Sequence, residues 1–258
     1  YLLMILALPR LLEGREATED GLALIFPLAS ALCVLAAAVL ATVPPAGAVA
    51  IRARRGDLGA LLRETPYLRL LGLAFFAYGL LTGPILLFPV FVSERGGTVE
   101  TVSQLWIPML LLEIPLILYA GAGLRRLGAR GLISLGIVCD GVRWAVCALA
   151  PSLWWMFGIQ LLHGFVVVGL IIGMQLYVEG AVPARLRATG QTVLGTVISA
   201  GAVLSNLWVG FALERFGATT PYVVAGFGGI ALGSIAWRIL GAAPTTSAVS
   251  TPPRAALD

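Results

Sequence analysis

Long apolar runs alternate with short polar segments along the whole chain, with a period far longer than that of any single helix face or strand. About 20 consecutive apolar residues cross the hydrocarbon core of a bilayer as a helix. The pattern therefore predicts an all-α, polytopic transmembrane bundle with one partial span at 1–13 and seven full spans, at 22–43, 69–91, 104–123, 131–150, 153–178, 191–212 and 222–241.

A basic segment divides these spans into two groups. It begins at Pro44-Pro45, a pair that ends a helix because proline has no amide hydrogen to donate. We predict two helices in 1–43, a linker with a short surface helix in 44–68, and six helices in 69–241. The Pro/Ser/Thr-rich tail, 242–258, is predicted to be disordered. We also expect a longer protein, because Tyr1 lies inside an apolar run.

Composition excludes the soluble classes. Hydrophobic residues make up 59% of the 258 residues and charged residues 12%, whereas soluble domains carry about 25% charged residues. A single histidine excludes a multi-histidine metal site, so no metal or cofactor is predicted, and no soluble-enzyme motif is found. All 17 basic residues are arginine, which we interpret as the composition of a GC-rich bacterial genome. The net charge of +4 lies in loops, so no nucleic-acid partner is predicted.

The arginines predict the orientation. Twelve lie on one side of the predicted spans and three on the other, and the two sets alternate along the chain as consecutive spans require. Because arginine is enriched in cytoplasmic loops, we place the linker and the C-terminal tail in the cytoplasm and the protein in a bacterial inner membrane. The three arginines assigned to the opposite side are Arg15, Arg95 and Arg215.

Ionisable residues inside the spans are the main functional candidates, because a charge at membrane depth costs about 2.5–3.5 kcal/mol on insertion scales. Glu113 lies in LLLEIPLIL, Asp140 and Arg143 in VCDGVRWAV, and His163 in FGIQLLHGF. Asp140 and Arg143, three residues apart, can form a structural ion pair within their helix. Gln160 shares a helix face with His163, which can equally be a buried core histidine.

Glu113 has no polar neighbour in its own span, so its carboxylate needs a partner from another helix, either Arg143 or His163. Burial favours the neutral form of a carboxyl group, and a neighbouring cation favours the charged form. A carboxyl group that is switched between these states by a moving partner can carry a proton. Glu113, Arg143 and His163 are therefore predicted to couple proton movement to transport.

Other polar and small residues give weaker signals. Tyr78 and Asn206 are predicted to join Gln160 and His163 in binding substrate, although aromatic residues in spans more often pack or face lipid. Small residues four positions apart let membrane helices approach closely, and three glycine pairs have this spacing: Gly79/Gly83, Gly169/Gly173 and Gly229/Gly233.

Several stretches carry a resemblance to a known family: LLLEIPLIL, DGVRWAV, QLLHGFVVVG, PARLRATGQTVLG and the loop GAGLRRLGARGLISLG. Over about residues 1–241 the chain resembles the C-terminal two-thirds of a major facilitator superfamily transporter, in its lactose-permease-like and phenylpropionate-permease-like branch. The resemblance implies that 1–43 holds the last two helices of a first bundle and that 69–241 is a six-helix second bundle. In the loop, Gly121, Arg126, Gly128 and Arg130 fit the family's cytoplasmic loop motif, while Arg125 replaces its usual acidic residue. Where the sugar-transporter pattern has a carboxylate one turn after the histidine, this chain has Val166.

The resemblance implies a secondary transporter, not an enzyme, that moves a small organic solute (an aromatic acid, a nucleoside or a sugar) together with protons by alternating access. The implied partners are the solute, protons and the lipid bilayer, and the full-length protein is expected to be monomeric. Two alternatives stay open at the sequence level: an efflux pump of drugs or metabolites on the same fold, and a membrane sensor or scaffold without transport activity.

Overall fold

The computed structural model describes residues 19–42 and 56–241. These residues form helices and turns, with no strand among them. The partial span 1–13, most of the linker and the tail 242–258 lie outside the described residues. The helices are α1 (Glu19–Thr42), α2 (Asp57–Leu61), α3 (Thr65–Leu86), α4 (Phe88–Glu94), α5 (Val99–Leu149), α6 (Leu153–Gln160), α7 (His163–Val166), α8 (Gly173–Ala181), α9 (Arg187–Phe216) and α10 (Thr219–Leu240).

The helix α1 belongs to a separate compact unit from the other nine helices. Its described apolar part, Ala29–Thr42, is exposed along its whole length. Its C-terminal turn is closed by the Thr42 hydroxyl, which donates to the carbonyl of Val39 over 2.7 Å. An apolar helix with no polar face cannot lie on a soluble surface, as expected for the predicted span 22–43.

The structure confirms the helical membrane architecture. The described residues include five helical segments long and apolar enough to cross a bilayer: Thr65–Leu86, Val99–Leu149, His163–Ala181, Ala184–Phe216 and Thr219–Leu240. The number is smaller than the seven predicted full spans for two reasons. Helix α5 contains two predicted spans as two limbs that meet at a kink, and they are counted together. The described apolar part of the span 22–43, Ala29–Thr42, is shorter than a full span.

Two predicted boundaries are corrected by the backbone. The span 69–91 is divided at Leu87, which separates α3 from α4, because Pro89 interrupts the helical hydrogen bonding there. The stretch that we expected to be a loop after 123 is helical on both sides of Gly128, and the helix breaks at that one residue. The two limbs of α5, 99–127 and 129–149, are separated at Gly128 alone, whose φ of 67° and ψ of 171° are accessible to glycine and not to other residues.

The predicted span 153–178 is also less regular than its sequence suggests. At Leu161 and Leu162 the backbone forms i→i−3 hydrogen bonds, with Leu161 donating to Gly158 and Leu162 to Ile159. A π-helical segment, Val167–Ile172, then lies between α7 and α8. Such segments contain one residue more than an α-helix of the same length and occur frequently at functional sites.

Glycines set the helix contacts of the second unit, as predicted from their spacing. Contact is most extensive between α5 and α10 and between α3 and α9. A Cβ atom added to Gly229 would lie 2.9 Å from the Cα of Gly141, and one added to Gly201 would lie 2.7 Å from the carbonyl oxygen of Phe75. Real Cβ atoms do not approach that closely, so these helices meet backbone to backbone.

Polar side chains reinforce the α3–α9 contact. The Ser205 hydroxyl accepts from the amide of Gly83 over 2.7 Å, and Trp208 Nε1 donates to the carbonyl of Gly79 over 2.7 Å. At the end of the bundle that the arginine counts place in the cytoplasm, the Tyr67 hydroxyl donates to Gly190 O over 2.7 Å. Arg185 forms an ion pair there with Asp57 of α2, which ties the end of the linker to the loop before α9.

Arg95, at the C-terminal end of α4, caps the last turn of α5. Its guanidinium donates to the carbonyls of Cys147 (2.8 Å), Ala148 (3.1 Å) and Ala150 (3.4 Å) and lies 4.2 Å from the centre of the Phe91 ring. The last carbonyls of a helix have no partner within the helix and carry its negative dipole end. One side chain therefore satisfies three of these carbonyls and links α4 to α5.

Replacing Arg95 by glutamine is expected to destabilise the folded protein by about 1–2 kcal/mol, the range for a cation in a partly buried site at a helix C-terminus. The measurement is thermal unfolding of the purified protein in detergent. Arg215→Gln is the matched control, because Arg215 is exposed in the last turn of α9 and a surface change of this kind alters stability by about 0.5 kcal/mol or less. Equal effects of the two variants would contradict the capping role.

Candidate functional site

Arg143 is the centre of a buried polar cluster between the second limb of α5 and the α6–α7 segment. Its side chain is 1% exposed. Nε and Nη2 both donate to Asp140 Oδ1, over 3.0 and 2.7 Å, while Nη1 lies 3.3 Å from Gln160 Oε1 and 3.2 Å from His163 Nδ1. A buried ion pair costs less when hydrogen bonds use its remaining donors, and here every nitrogen of the guanidinium has a partner.

The face of the Arg143 guanidinium is covered by Trp144, whose ring centre lies 4.0 Å from Cζ. Trp144 contacts Tyr222 edge to face at 5.4 Å, and Tyr222 stacks on Phe91 at 3.9 Å. Since Phe91 lies under Arg95, one column of rings runs from the capped end of α5 to the buried cluster. The column fixes the plane of the Arg143 guanidinium and excludes water from that side.

His163 and Glu113 form the more accessible part of the cluster. His163 Nε2 lies 4.0 Å from Glu113 Oε2, and the two side chains are 17% and 23% exposed. Arginine can only donate hydrogen bonds, so the Arg143 contact requires His163 Nδ1 to accept. In the neutral imidazole the proton is then on Nε2, the nitrogen that faces the Glu113 carboxyl group.

A glycine allows this approach. A Cβ atom added to Gly164 would lie 3.0 Å from the backbone nitrogen of Glu113 and 3.1 Å from its Cα. The backbone of α7 can therefore contact the first limb of α5 at Glu113, and the neighbouring His163 side chain comes within reach of the carboxyl group. The Leu161–Leu162 turn lies just before this contact.

Gln160 is fully buried, and its side-chain oxygen accepts from Arg143. Its Nε2 atom has no hydrogen-bond partner among the described residues. The orientation of the amide is fixed, because turning it over would place two donors against each other. Burying a donor without a partner destabilises the folded state by about 1–3 kcal/mol, and this cost falls directly beside the ionisable groups.

A second polar feature is a cleft of about 100 Å³ between α3, the π-helical segment with α8, and α9. Its polar lining is Tyr78, Gln175 and Gln191. Gln191 Nε2 donates to the backbone carbonyl of Gln175 over 3.2 Å. The Tyr78 hydroxyl and the Gln175 carboxamide form no hydrogen bond with the described residues, so both are available to a ligand.

The structure thus brings five of the predicted site residues into one cluster: Glu113, Asp140, Arg143, Gln160 and His163. Tyr78 lies in the cleft, and Asn206 is exposed on α9, in neither feature.

The predicted loop motif lies around the break in α5. Gly121 and Arg126 are exposed, Gly128 forms the break, and the Arg130 guanidinium lies 4.1 Å from the centre of the Trp237 ring.

Three residues of the cluster, the cleft and the α5 cap were not predicted from the sequence. Trp144 had a signal, since it directly follows Arg143, but a tryptophan in an apolar span does not show what its ring covers. Gln191 and Arg95 gave no signal in the sequence, because each donates hydrogen bonds to backbone carbonyls of a distant segment. Only the folded chain brings these groups together.

Comparison with known proteins gives consistent results. The model of the MFS_1 like family matches residues 16–224. The maltose permease of Geobacillus stearothermophilus is 32% identical over 219 residues, which cover 81% of this chain and 54% of that protein. The probable 3-phenylpropionic acid transporter of Escherichia coli (strain K12) is 24% identical over 140 residues, 53% of this chain and 36% of that protein. The chain thus spans about half the length, or less, of these relatives.

Proposed function

The chain belongs to the MFS_1 like family, a family of the major facilitator superfamily, and on this premise we propose that the protein is a proton-coupled symporter of a small organic solute. It is a multi-pass membrane protein. We place it in a bacterial inner membrane with the linker and the C-terminus in the cytoplasm, as the arginine distribution indicates. The names of the relatives support transport, and they differ in the solute that they give.

The Glu113–His163 contact carries the proposal. A carboxyl group and an imidazole lie 4.0 Å apart, partly exposed, while the cation behind them is sealed from solvent. Groups of this kind at membrane depth mark ion and proton pathways. The separation is slightly too long for a direct hydrogen bond, so a small movement of α7 against the first limb of α5 can make or break one.

In the proposed cycle, Glu113 takes up the proton and His163 senses its charge. With its Nδ1 held by Arg143, the neutral imidazole presents Nε2–H to an ionised Glu113 and stabilises it. A protonated Glu113 no longer needs this donor, which releases α7 from the first limb of α5. Protonation and helix movement are linked in this way, as alternating access requires of two bundles that move around a midplane site.

Glu113→Gln tests the proposal. Glutamine keeps the size of the side chain and removes the titratable proton, so we expect proton-driven accumulation of the solute to fall at least tenfold while exchange of internal for external solute continues. Uptake is measured in proteoliposomes that contain the full-length protein, with labelled maltose, uridine and 3-phenylpropionate as probes. Transport of any of them against its gradient under an inward proton gradient identifies the cargo.

The control is Glu100→Gln, which changes an exposed glutamate in the first turn of the same helix. It is expected to leave both accumulation and exchange within twofold of the unmodified protein. Undiminished proton-driven accumulation in Glu113→Gln would exclude Glu113 as the proton carrier. If no probe is accumulated by the unmodified protein under any imposed proton gradient, the symport proposal fails.

A further inference from the structure

The cleft beside the π-helical segment differs from the buried cluster in its chemistry. None of its lining residues carries a charge: the polar ones are Tyr78, Gln175 and Gln191, and the rest are apolar or glycine. A phenol and two carboxamides both donate and accept hydrogen bonds, whereas a carboxylate only accepts. A bound carboxylate would leave the amide oxygens unpaired and would lose its own hydration without a compensating charge.

The nearest buried cation cannot supply that charge. Arg143 is 1% exposed, its nitrogens are bonded to Asp140, Gln160 and His163, and its face is covered by Trp144. A substrate anion would have to displace Asp140, the existing counter-ion. The ionisable groups of the cluster that stay partly exposed are Glu113 and His163, and an ionised Glu113 repels a second carboxylate.

From these observations we infer that the cleft formed by Tyr78, Gln175 and Gln191 is the solute subsite of this bundle, and that it recognises an uncharged group with adjacent hydroxyls. A carboxamide presents a donor and an acceptor side by side, which matches two neighbouring hydroxyl groups. The cleft volume of about 100 Å³ is several times the roughly 10–15 Å³ of cavity volume that one water molecule needs, so the cleft has room for one part of a sugar ring or of a ribose. The inference rests on the proposed function.

Arg187 offers the one competing arrangement among the described residues. It lies one turn before Gln191 on α9, and its Nε atom has no hydrogen-bond partner. It does not line the cleft. Its guanidinium can pair with an anionic solute outside the cleft, so replacing Arg187 separates the two substrate classes experimentally.

The test is equilibrium binding to the full-length protein in detergent, with maltose, glucose, uridine and 3-phenylpropionate as separate probes. At least one hydroxylated probe is expected to bind, and Gln191→Leu and Gln175→Leu are each expected to raise its Kd at least fivefold. Maltose or glucose binding identifies a sugar, and uridine binding identifies a nucleoside. Gln104→Leu is the matched control, because Gln104 is exposed on α5 outside the cleft, and it is expected to change Kd less than twofold.

Three results would overturn the inference: binding of 3-phenylpropionate alone, weakened by Arg187→Gln; a Kd for the hydroxylated probe that neither glutamine replacement alters; or no binding of any hydroxylated probe.

Failure of this inference can be distinguished from failure of the symport proposal. If Gln191→Leu weakens probe binding while the unmodified protein shows no proton-driven accumulation, the subsite stands and symport fails. If Glu113→Gln abolishes accumulation of a solute whose Kd is unchanged by Gln175→Leu and by Gln191→Leu, the symport proposal stands and the subsite inference fails.

Discussion

Replacing Arg143 by glutamine is expected to destabilise the folded protein by about 3–5 kcal/mol, the largest effect of any single change considered for this chain. The variant leaves the Asp140 carboxylate in the core, 6% exposed, without the guanidinium that donates to it twice. The contacts to Gln160 and His163 are lost at the same time. We also expect proton-driven uptake to be abolished. Thermal and denaturant unfolding in detergent, followed by intrinsic fluorescence, measure the first effect.

A second substitution distinguishes an uncompensated charge from a general loss of packing. Asp140→Asn combined with Arg143→Gln removes both charges and keeps side chains of similar size, so we expect it to recover at least half of the lost stability while transport stays absent. Buried pairs that are replaced as a unit often cost little, in contrast to pairs broken from one side. If the single variant were as stable as the unmodified protein, an unpaired Asp140 carboxylate would not be costly at this site.

Gly169→Ala is expected to have the second largest effect, a loss of about 1–3 kcal/mol, the cost of overpacking a close-packed interior. The added methyl group would lie 2.6 Å from the Cα of Gly136 and closer still to the Leu132 carbonyl oxygen. Both obstacles are backbone atoms, which cannot rotate away as a side chain can. The π-helical segment would have to move away from the second limb of α5, and thermal unfolding in detergent reports the cost.

Gly158→Ala provides a close control for Gly169→Ala. Gly158 lies earlier in the same predicted span, and a Cβ atom there has no neighbour within 4 Å. Alanine is a better helix former than glycine by about 1 kcal/mol, so this variant is expected to be neutral or slightly stabilising. If the two replacements changed the stability equally, close backbone contact at Gly169 would not be the cause of the destabilisation.

The sequence predicted the architecture because the bilayer imposes a single rule on apolar helices, their length. Run lengths located the apolar helical segments that the structure describes, which form five membrane-length elements. They did not locate the break at Leu87 or the end of the first limb of α5 at Gly128. A proline or a glycine at such a position permits a break in the helix but does not require one, so the sequence alone does not show where the backbone departs from helical angles. The π-helical segment Val167–Ile172 also left no trace, since its residues are ordinary apolar ones.

For the candidate site, the sequence identified the residues that are costly to bury, and the structure supplied their partners. Glu113, Asp140, Arg143 and His163 were found because charge in a span is rare. The assignment of Arg143 to Asp140, Gln160 and His163 together required the helix contacts. Uncharged hydrogen-bonding residues give a weaker signal. The sequence indicated Tyr78 as a binding residue, but only the fold shows that it shares a cleft with Gln175 and Gln191.

The π-helical segment has a consequence for how this part of the chain can change in evolution. Each residue of an α-helix turns the chain by about 100° and advances it by about 1.5 Å. Because the π-helical segment Val167–Ile172 accommodates one residue more than an α-helix of the same length, deleting one residue there is expected to restore regular α-helix and to leave His163 and Gln175 on their present faces. One further inserted residue would instead turn Gln175 by about 100° away from the cleft unless the segment widened again. The length of this segment thus sets the relative orientation of two residues with separate proposed roles: His163 in proton coupling and Gln175 in the solute subsite.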